Sequence, residues 1–384
     1  MKQVLALGMV AVALAAGAVG AAGGTNPNTL TFAVYGDSPY LDPAFSNQPA
    51  AEFNATPAFI DTINADPSIQ AVVHVGDIHS GSEACTVAYD QAIFHLWLAF
   101  QKPLIYTPGD NEWSDCTKTK EFNGKDVFGH GPDFNGDPLI HLGIVRNIFF
   151  PNPGWTLGQI PMQVISQATV PHEPQFAAYA QYVENVMWEQ SKTLFVTINV
   201  PGGSNNDKDT WNGPAKNQAA EDAERAARTA ADVDWLNAAF KLAEADNAHS
   251  VVIIAQADMW DTTDLPSHQT EYEPIIRAMA DNAMTYGKPV LYFNGDSHIY
   301  RSDNPLQPNS ACSTETNPCT ADAWLQHPFY SVPNFHRIVV HGSTFPMEWL
   351  KLSIDPRAAW QNASTATSWG PFSWQRKPQS QLTP

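Results

Sequence analysis

The sequence repeats one dipeptide, Gly-Asp, at places where carboxylates could bind cations. Four of its five occurrences directly follow a short apolar run, and these supply Asp37, Asp77, Asp110 and Asp296. The fifth, Gly136-Asp137, follows no such run. A single Gly-Asp is typical of a turn, because glycine permits unusual backbone angles and aspartate hydrogen-bonds its own backbone. Four carboxylates gathered at one edge would repel one another unless cations neutralised them. The repetition therefore indicates a metal centre.

The apolar runs before these pairs are rich in β-branched and aromatic residues, which favours buried strands. The predicted strands are 30–35, 71–75, 103–107, 193–200, 251–256 and 290–293. Helices are predicted between them at 50–65, 86–100, 175–188, 219–245 and 272–286. This alternation predicts an α/β fold, with a β-sheet core flanked by helices on both faces. In such a sheet the ligand site lies at the carboxyl ends of the strands, where the Gly-Asp pairs are.

Three segments fall outside this alternation. Residues 1–22 are apolar after Lys2 and end in small residues, which predicts a secretory signal peptide, with an uncleaved anchor as the alternative. Residues 23–352 form the predicted domain, and its Gly, Pro and Asn-rich part at 117–175 is predicted to be an insertion over the site. Residues 353–384 form a Trp/Pro-rich tail. We expect its tryptophans 360, 369 and 374 to pack against the domain and hold the tail there.

The composition narrows the function and the compartment. With 43% hydrophobic residues, 12 Trp and 15% charged residues, the chain is globular. Its net charge of −19 excludes nucleic-acid binding through a basic patch, and an anionic substrate would need a local cation. An exported chain meets an oxidising compartment, where its four cysteines would form two disulfides. Of the three possible connectivities we favour 85–116 with 312–319, because each pair is close in sequence.

The order and placing of the motifs resemble the calcineurin-like metallophosphoesterases over about residues 30–347. That family carries Asp-x-His after the first strand, Gly-Asp after the second and Gly-Asn-His-Asp/Glu after the third. A lone His on a later strand and Gly-His-x-His near the end complete its pattern. The resemblance implies the family's fold, a centre of one or two divalent cations, and hydrolysis of a small phosphorylated substrate. After removal of the signal, no membrane association is implied.

The first three motifs can be carried over in part. Asp37 resembles the first-motif ligand, while Pro39 stands where the family has histidine. Residues 76–79 resemble the intact second motif, in which Asp77 would bridge two metals. The third motif is similar to residues 108–113 if one residue is inserted. Asn111 then matches the asparagine ligand, and Glu112 takes the place of the catalytic histidine.

The last two motifs also depart from the family. After the predicted strand at 251–255, Gln256 or Asp258 takes the place of the lone histidine and would bind through oxygen. Residues 295–298 keep the final histidine as His298 and carry Asp296 where the family has another. Residues 340–343 resemble the closing strand that follows this motif, and His341 within them is more typical of a structural residue.

The resemblance thus implies a ligand set dominated by oxygen, with a single imidazole. Its members are Asp37, Asp77, Asn111, Gln256, Asp296 and His298. Carboxylate and amide oxygens suit hard cations such as Mg²⁺, Mn²⁺ or Ca²⁺ better than zinc. With a single imidazole, the centre is expected to hold one cation or two. Iron and zinc are the alternatives to these hard cations.

The expected function is metal-dependent phosphoester hydrolysis, in which Glu112 or His79 handles the proton on the leaving group. Each has a structural alternative: His79 as a loop residue bonded to backbone, and Glu112 as a buried carboxylate capping the next turn. A different class of function is a non-catalytic binding protein that keeps the fold, with tryptophans lining a groove. An α/β-hydrolase is disfavoured, because the sequence has no Gly-x-Ser-x-Gly nucleophile motif.

Overall fold

The computed structural model describes residues 29–40, 51–81, 83–118, 133–172, 174–208, 210–213, 216–315, 319, 321–358 and 364–379. The predicted signal peptide at 1–22, residues 119–132 of the predicted insertion and Trp360 lie outside this described part.

Fifteen strands and six helical segments are present in the described residues. The strands are β1 (Leu30–Tyr35), β2 (Ala71–His74), β3 (Leu104–Tyr106), β4 (Ile165–Ser166), β5 (Val186–Gln190), β6 (Thr193–Thr197), β7 (Ser250–Ile254), β8 (Val290–Asn294), β9 (Arg301–Asp303), β10 (Ser313–Thr314), β11 (Phe335–Val339), β12 (Glu348–Ile354), β13 (Ser364–Thr365), β14 (Ser368–Trp369) and β15 (Phe372–Pro378). The helical segments are α1 (Ala51–Asn64), α2 (Val87–Trp97), α3 (Pro138–Phe149), α4 (Gly202–Asn206), α5 (Gln218–Ala245) and α6 (Glu273–Tyr286).

The strands form two sheets with parallel centres. The first has the order β13-β14-β15-β12-β1-β2-β3, and the second β10-β9-β11-β8-β7-β6-β5-β4. In the first sheet β1, β2 and β3 are parallel, and in the second β6, β7, β8 and β11 are parallel. The strands predicted to carry the Gly-Asp pairs belong to these parallel sets, with β3 at the edge of the first sheet. In each sheet, the carboxyl ends of the parallel strands lie on the same side.

Alternating side chains place the two sheets face to face between layers of helices. On β1, Phe32 and Val34 belong to an apolar cluster that also includes Ile254 of β7 and Phe293 of β8. The alternate side chains, such as Tyr35, belong to a second cluster with α1 and α2. A third cluster joins the other face of the second sheet to α5 and α6. The period of two along β1 thus produces a helix–sheet–sheet–helix sandwich.

The predicted core elements are confirmed, with ends shifted by a few residues. The predicted helix at 175–188 is wrong, because that segment holds a 3₁₀ turn at Pro174–Gln181 followed by β5. β5 returns into β6 through Ser191 and Lys192, which both have positive φ (48° and 63°) without the usual Gly or Asn of such a turn. The closing strand expected at 340–343 is also displaced, since β11 ends at Val339 and a loop follows.

The described part of the predicted insertion and the tail are both built into the sandwich. α3 packs against α2, and Leu157 bridges to Leu104 at the edge of the first sheet. β15 pairs with the whole of β12, so the predicted domain boundary at 352/353 falls within a strand. Trp369 and Trp374 are buried.

Both predicted disulfides are confirmed, joining Cys85 to Cys116 and Cys312 to Cys319. Within the described ranges, none of the helices combines the length and apolar character needed to cross a membrane.

Candidate metal centre

The carboxyl ends of strands from both sheets meet at one point, where two groups of acidic and imidazole side chains overlap. Asp37, Asp77 and His298 form one group, and Asp77, Asp110 and Asp296 form the other. In each group, one possible ligand atom from each residue lies within 4.8 Å of the others. Asp77 belongs to both groups. The structure therefore brings together four of the predicted ligands: Asp37, Asp77, Asp296 and His298.

The backbone at these positions is in the left-handed region. φ is 47° at Asp37, 60° at Asp77, 75° at Asp296 and 61° at His298. Non-glycine residues adopt this conformation at a cost, and aspartate tolerates it better than most because its short side chain bonds locally. Several such residues together are characteristic of a functional site, where the surrounding structure holds the strain in place.

Two glycines of the Gly-Asp pairs make room for carboxylates of other pairs. A Cβ added to Gly109 would lie 1.8 Å from Asp77 Oδ1, and one added to Gly295 would lie 2.5 Å from Asp37 Oδ2. These two glycines thus leave space for a carboxylate of another pair, whereas Gly36 lies against Val75 and Gly76 against Gln256.

Backbone and amide donors fix the carboxylates in position. The backbone N–H of Asp296 donates to Asp37 Oδ1 at 2.8 Å, which ties the two sheets together at the centre. Gln256 Nε2 donates to Asp77 Oδ2 and to Asp110 Oδ1, both at 3.0 Å. Gln256 therefore lies among the carboxylates, with its amide nitrogen facing them, whereas the predicted contact was through its oxygen. Its Oε1 is buried without a hydrogen-bond partner.

Asp258, the alternative to Gln256, has its side chain engaged elsewhere. Its carboxylate pairs with the buried guanidinium of Arg337 and accepts a hydrogen bond from Ser297 Oγ at 2.8 Å. The contribution of Asp258 to the centre is its backbone N–H, which donates to Asp296 Oδ2 at 2.9 Å. Gln256 is thus the residue of this pair that faces the centre.

The centre is buried and strongly acidic. Asp37 and Asp77 have exposed fractions of 0% and 1%. Burial, and then repulsion from Asp110 and Glu112, raises the pKa of Asp77 well above its usual value. Burial likewise raises the pKa of Asp37 to about 7. Buried carboxylates this close together call for compensating positive charge, and a cation bound between them would supply it.

Asp110 is the member of the centre that the comparison of motifs missed. The inserted residue in the third motif shifted the asparagine ligand onto Asn111, but the structure places Asp110 with Asp77 and Asp296. Aligned without an insertion, residues 109–112 would set Asp110 against the asparagine of the family's four-residue motif and Asn111 against its histidine. The signal was available in the sequence, since Asp110 ends one of the four Gly-Asp pairs.

Asn111 lies beside the centre and contacts a tyrosine there. Its backbone N–H donates to Asp77 Oδ1 at 3.4 Å, and its side-chain Nδ2 donates to the hydroxyl of Tyr40 at 3.3 Å. The same hydroxyl lies 3.2 Å from His298 Nε2. Tyr40 is buried, and nothing in the sequence pattern marked it.

The carboxylate of Glu112 is directed into the protein. It accepts hydrogen bonds from the backbone N–H of Ile78 and Gly109, each at 3.1 Å, and from the hydroxyl of Tyr106 at 2.7 Å. These bonds join the loop after β2 to the loop after β3. Burial raises the pKa of Glu112 to about 7.

The two other histidines singled out in the sequence have different surroundings. His79 is buried, with Nδ1 at 3.1 Å from Ser80 O and Nε2 without a hydrogen-bond partner. Burial lowers its pKa to about 4, so its ring is neutral near pH 7. His341 lies between Glu315 and Glu348, at 3.3 and 3.6 Å.

The sequence matches no protein-family model and no curated protein. Among solved structures, that of PhoD is similar with a TM-score of 0.50 and 11% identity, covering 94% of this chain and 72% of that chain. A purple acid phosphatase, PPD1, from yellow lupin (Lupinus luteus) seeds has a TM-score of 0.43 and 10% identity, covering 93% of this chain and 53% of its own. A dimetal phosphatase from Danio rerio has a TM-score of 0.41 and 10% identity, with coverages of 91% and 99%. The likeness to PhoD shows that this chain has the calcineurin-like metallophosphoesterase fold predicted from its motifs.

Proposed function

On the premise of this fold, we propose that the chain is a metal-dependent hydrolase of phosphate monoesters or diesters. The observation that supports this most is the position of Asp77, whose carboxylate belongs to both groups of candidate ligands. A carboxylate shared in this way can hold two cations at a fixed separation, which is the arrangement that catalyses in-line displacement at phosphorus.

The donor atoms fit cations of two different kinds. One would be held by Asp37, Asp77 and His298, which include an imidazole nitrogen. The other would be held by Asp77, Asp110 and Asp296 through oxygen alone. The unpartnered Oε1 of Gln256 would be a further oxygen ligand for the second cation if its amide group were turned toward it. Oxygen ligands favour Mg²⁺, Mn²⁺ or Ca²⁺, whereas a site with a histidine also suits iron or zinc.

The chemistry follows from what such cations supply. Cations held there would polarise the phosphoryl oxygens, acidify a water molecule and attract the anionic substrate to an otherwise acidic protein. The residues of the chain hold those charges in place and exclude bulk water. Glu112 stabilises the two loops that carry Asp77 and Asp110, through its bonds to Ile78, Gly109 and Tyr106.

We also propose that the protein is exported and works in the periplasm or outside the cell. The predicted signal peptide at 1–22 supports this, and so do the two disulfides, which persist in oxidising compartments.

The test is hydrolysis by purified protein whose metal content is measured by mass spectrometry. We expect Mn²⁺-dependent release of p-nitrophenol from p-nitrophenyl phosphate or its bis ester, abolished by chelation. If the protein binds metal with full occupancy and hydrolyses neither ester, the alternative of a non-catalytic binding protein replaces this proposal.

Variants of three aspartates test the bridging position. Asp77→Ala should remove bound metal and hydrolysis together, because it takes a ligand from both groups. Asp37→Ala should leave part of the metal, because Asp37 belongs to one group only. The matched control is Asp137→Asn, which keeps the helix cap that Asp137 provides to Leu139 and Ile140 at the start of α3. An Asp77→Ala protein that retains parental metal content and turnover would refute the bridging assignment.

A further inference from the structure

If residues 109–112 are aligned with the third family motif without an insertion, the centre lacks the histidine that would donate the proton in that family. Asn111 occupies the position of the family's catalytic histidine, and a carboxamide neither gives nor takes a proton near neutral pH. A phosphoester with a basic leaving group nevertheless needs a proton on its leaving oxygen as the P–O bond breaks. If the chain hydrolyses such esters, as proposed above, another side chain at the centre must provide that proton.

Tyr40 is the hydroxyl that the structure places at this position. It is 3% exposed, and its oxygen lies 3.3 Å from Asn111 Nδ2 and 3.2 Å from His298 Nε2. It therefore lies between the residue in the catalytic position and a candidate metal ligand. The loop that carries it is fixed by its own backbone N–H, which donates to the buried Glu52 Oε2 at 2.8 Å.

The hydrogen bonds of Tyr40 orient its proton. Asn111 can only donate through Nδ2, so the Tyr40 oxygen accepts from it and must give its own proton elsewhere. In the described residues the remaining partner is His298 Nε2. If Nε2 held a cation, its lone pair would no longer accept from Tyr40. The O–H of Tyr40 would then be available to an oxygen of the substrate beside Asn111.

The residues expected earlier to handle the proton are placed less well for this. Both oxygens of Glu112 accept hydrogen bonds from the loops that it joins. The Nδ1 of His79 contacts the backbone carbonyl of Ser80 at 3.1 Å. Tyr40, by contrast, touches both Asn111 and His298.

We propose that Tyr40 is the general acid of this centre and protonates the leaving oxygen of the phosphoester. A water oxygen forms the new bond to phosphorus, and the bond from phosphorus to the leaving oxygen breaks with its electron pair. The leaving oxygen takes the proton of Tyr40 and departs as an alcohol. The phenolate then recovers a proton from the water consumed, through solvent, so that the net reaction is hydrolysis with no other reactant.

The test is the dependence of the rate on the leaving group. A p-nitrophenolate leaves without a proton, whereas an alkoxide needs one. Tyr40→Phe should therefore lower kcat for an alkyl phosphate ester by about 10²- to 10⁴-fold, the usual contribution of a general acid. It should change kcat for the p-nitrophenyl ester by less than about threefold, since this leaving group gains little from a proton. Metal content and Tm should stay those of the parent protein.

Tyr35→Phe is the matched control, since Tyr35 is an equally buried tyrosine of β1 that packs with Phe59, and both of its rates should be parental. Equal losses on the two esters, no loss on either, or loss of metal from Tyr40→Phe would overturn the proposal. So would a leaving-group-dependent loss in Glu112→Gln or His79→Gln instead. Activity of the parent protein on the p-nitrophenyl ester keeps this outcome separate from failure of the proposed function.

Discussion

At the scale of single residues, Asp110 and Asn111 are adjacent but differ in what they should do to bound metal. Asp110 lies with Asp77 and Asp296 in the oxygen-only group, whereas the amide of Asn111 contacts Tyr40. We expect Asp110→Ala to remove about half of the bound metal, because one of the two groups loses a ligand. Asn111→Ala should keep the full metal content. Mass spectrometry of the two purified variants distinguishes them, and the reverse result would restore the inserted-residue alignment.

The sequence predicted the aspartates of the centre better than their neighbours. Four Gly-Asp pairs after strands sufficed to predict that Asp37, Asp77 and Asp296 converge, because parallel strands end at one edge. The family pattern with one inserted residue predicts Asn111 as the ligand, whereas the repetition of Gly-Asp in this chain predicts Asp110. Tyr40 carried no signal, because its contacts with Asn111 and His298 span 71 and 258 residues. Such contacts depend on how the two sheets pack, which local pattern does not encode.

At the scale of elements, α4 lies directly against the oxygen-only group. A Cβ added to Gly202 would lie 2.4 Å from Asp110 Oδ2 and 2.8 Å from Asp296 Oδ1. The following Ser204 and Asn205 have left-handed backbone angles. Arg228 of α5 holds the segment in place, because its guanidinium donates to Asn205 Oδ1. No local sequence pattern predicts that this segment lies at the centre.

We therefore expect Gly202→Ala to displace these carboxylates and lower metal affinity by about 10- to 100-fold, as changes next to a metal's ligands commonly do. Calorimetric titration with Mn²⁺ measures this. Gly143→Ala is the control, because its Cβ would meet nothing within 4 Å inside α3. It should stabilise the protein by about 0.5–1 kcal/mol and leave the affinity unchanged. Parental metal affinity in Gly202→Ala would show that α4 can move away at no cost.

The disulfide between Cys85 and Cys116 joins the loop that follows Asp77 to the loop that follows Asp110. It closes a span of 31 residues, against 7 for the disulfide between Cys312 and Cys319. Replacing the first pair by serine should lower the free energy of unfolding by about 4 kcal/mol, and replacing the second by about 2 kcal/mol, from the loop entropies. Urea denaturation measures both. Only the first replacement should also weaken metal binding, and equal metal affinities would contradict this coupling.

At the scale of the whole molecule, bound metal should contribute measurably to stability. The centre joins the two sheets, and without cations its buried carboxylates repel one another. A ligand at 100 times its Kd stabilises the folded state by about 2.7 kcal/mol. We expect EDTA to lower Tm and saturating Mn²⁺ to restore it. The Asp77→Ala protein should show neither change, and an EDTA-insensitive Tm in the parent protein would argue against a metal centre.

The place of β1 in its sheet has a consequence for how the molecule is made. β1 lies between β2 and β12, with Leu30 opposite Ile354, and Asp37 follows directly after it. A ribosome produces β1 long before β12, so one side of β1 stays unpaired until β12 has been made. Contacts this distant in sequence form late in folding. We expect a fragment ending before Glu348 to leave Asp37 unfixed, so that cations are acquired only after β12 has been added to the sheet.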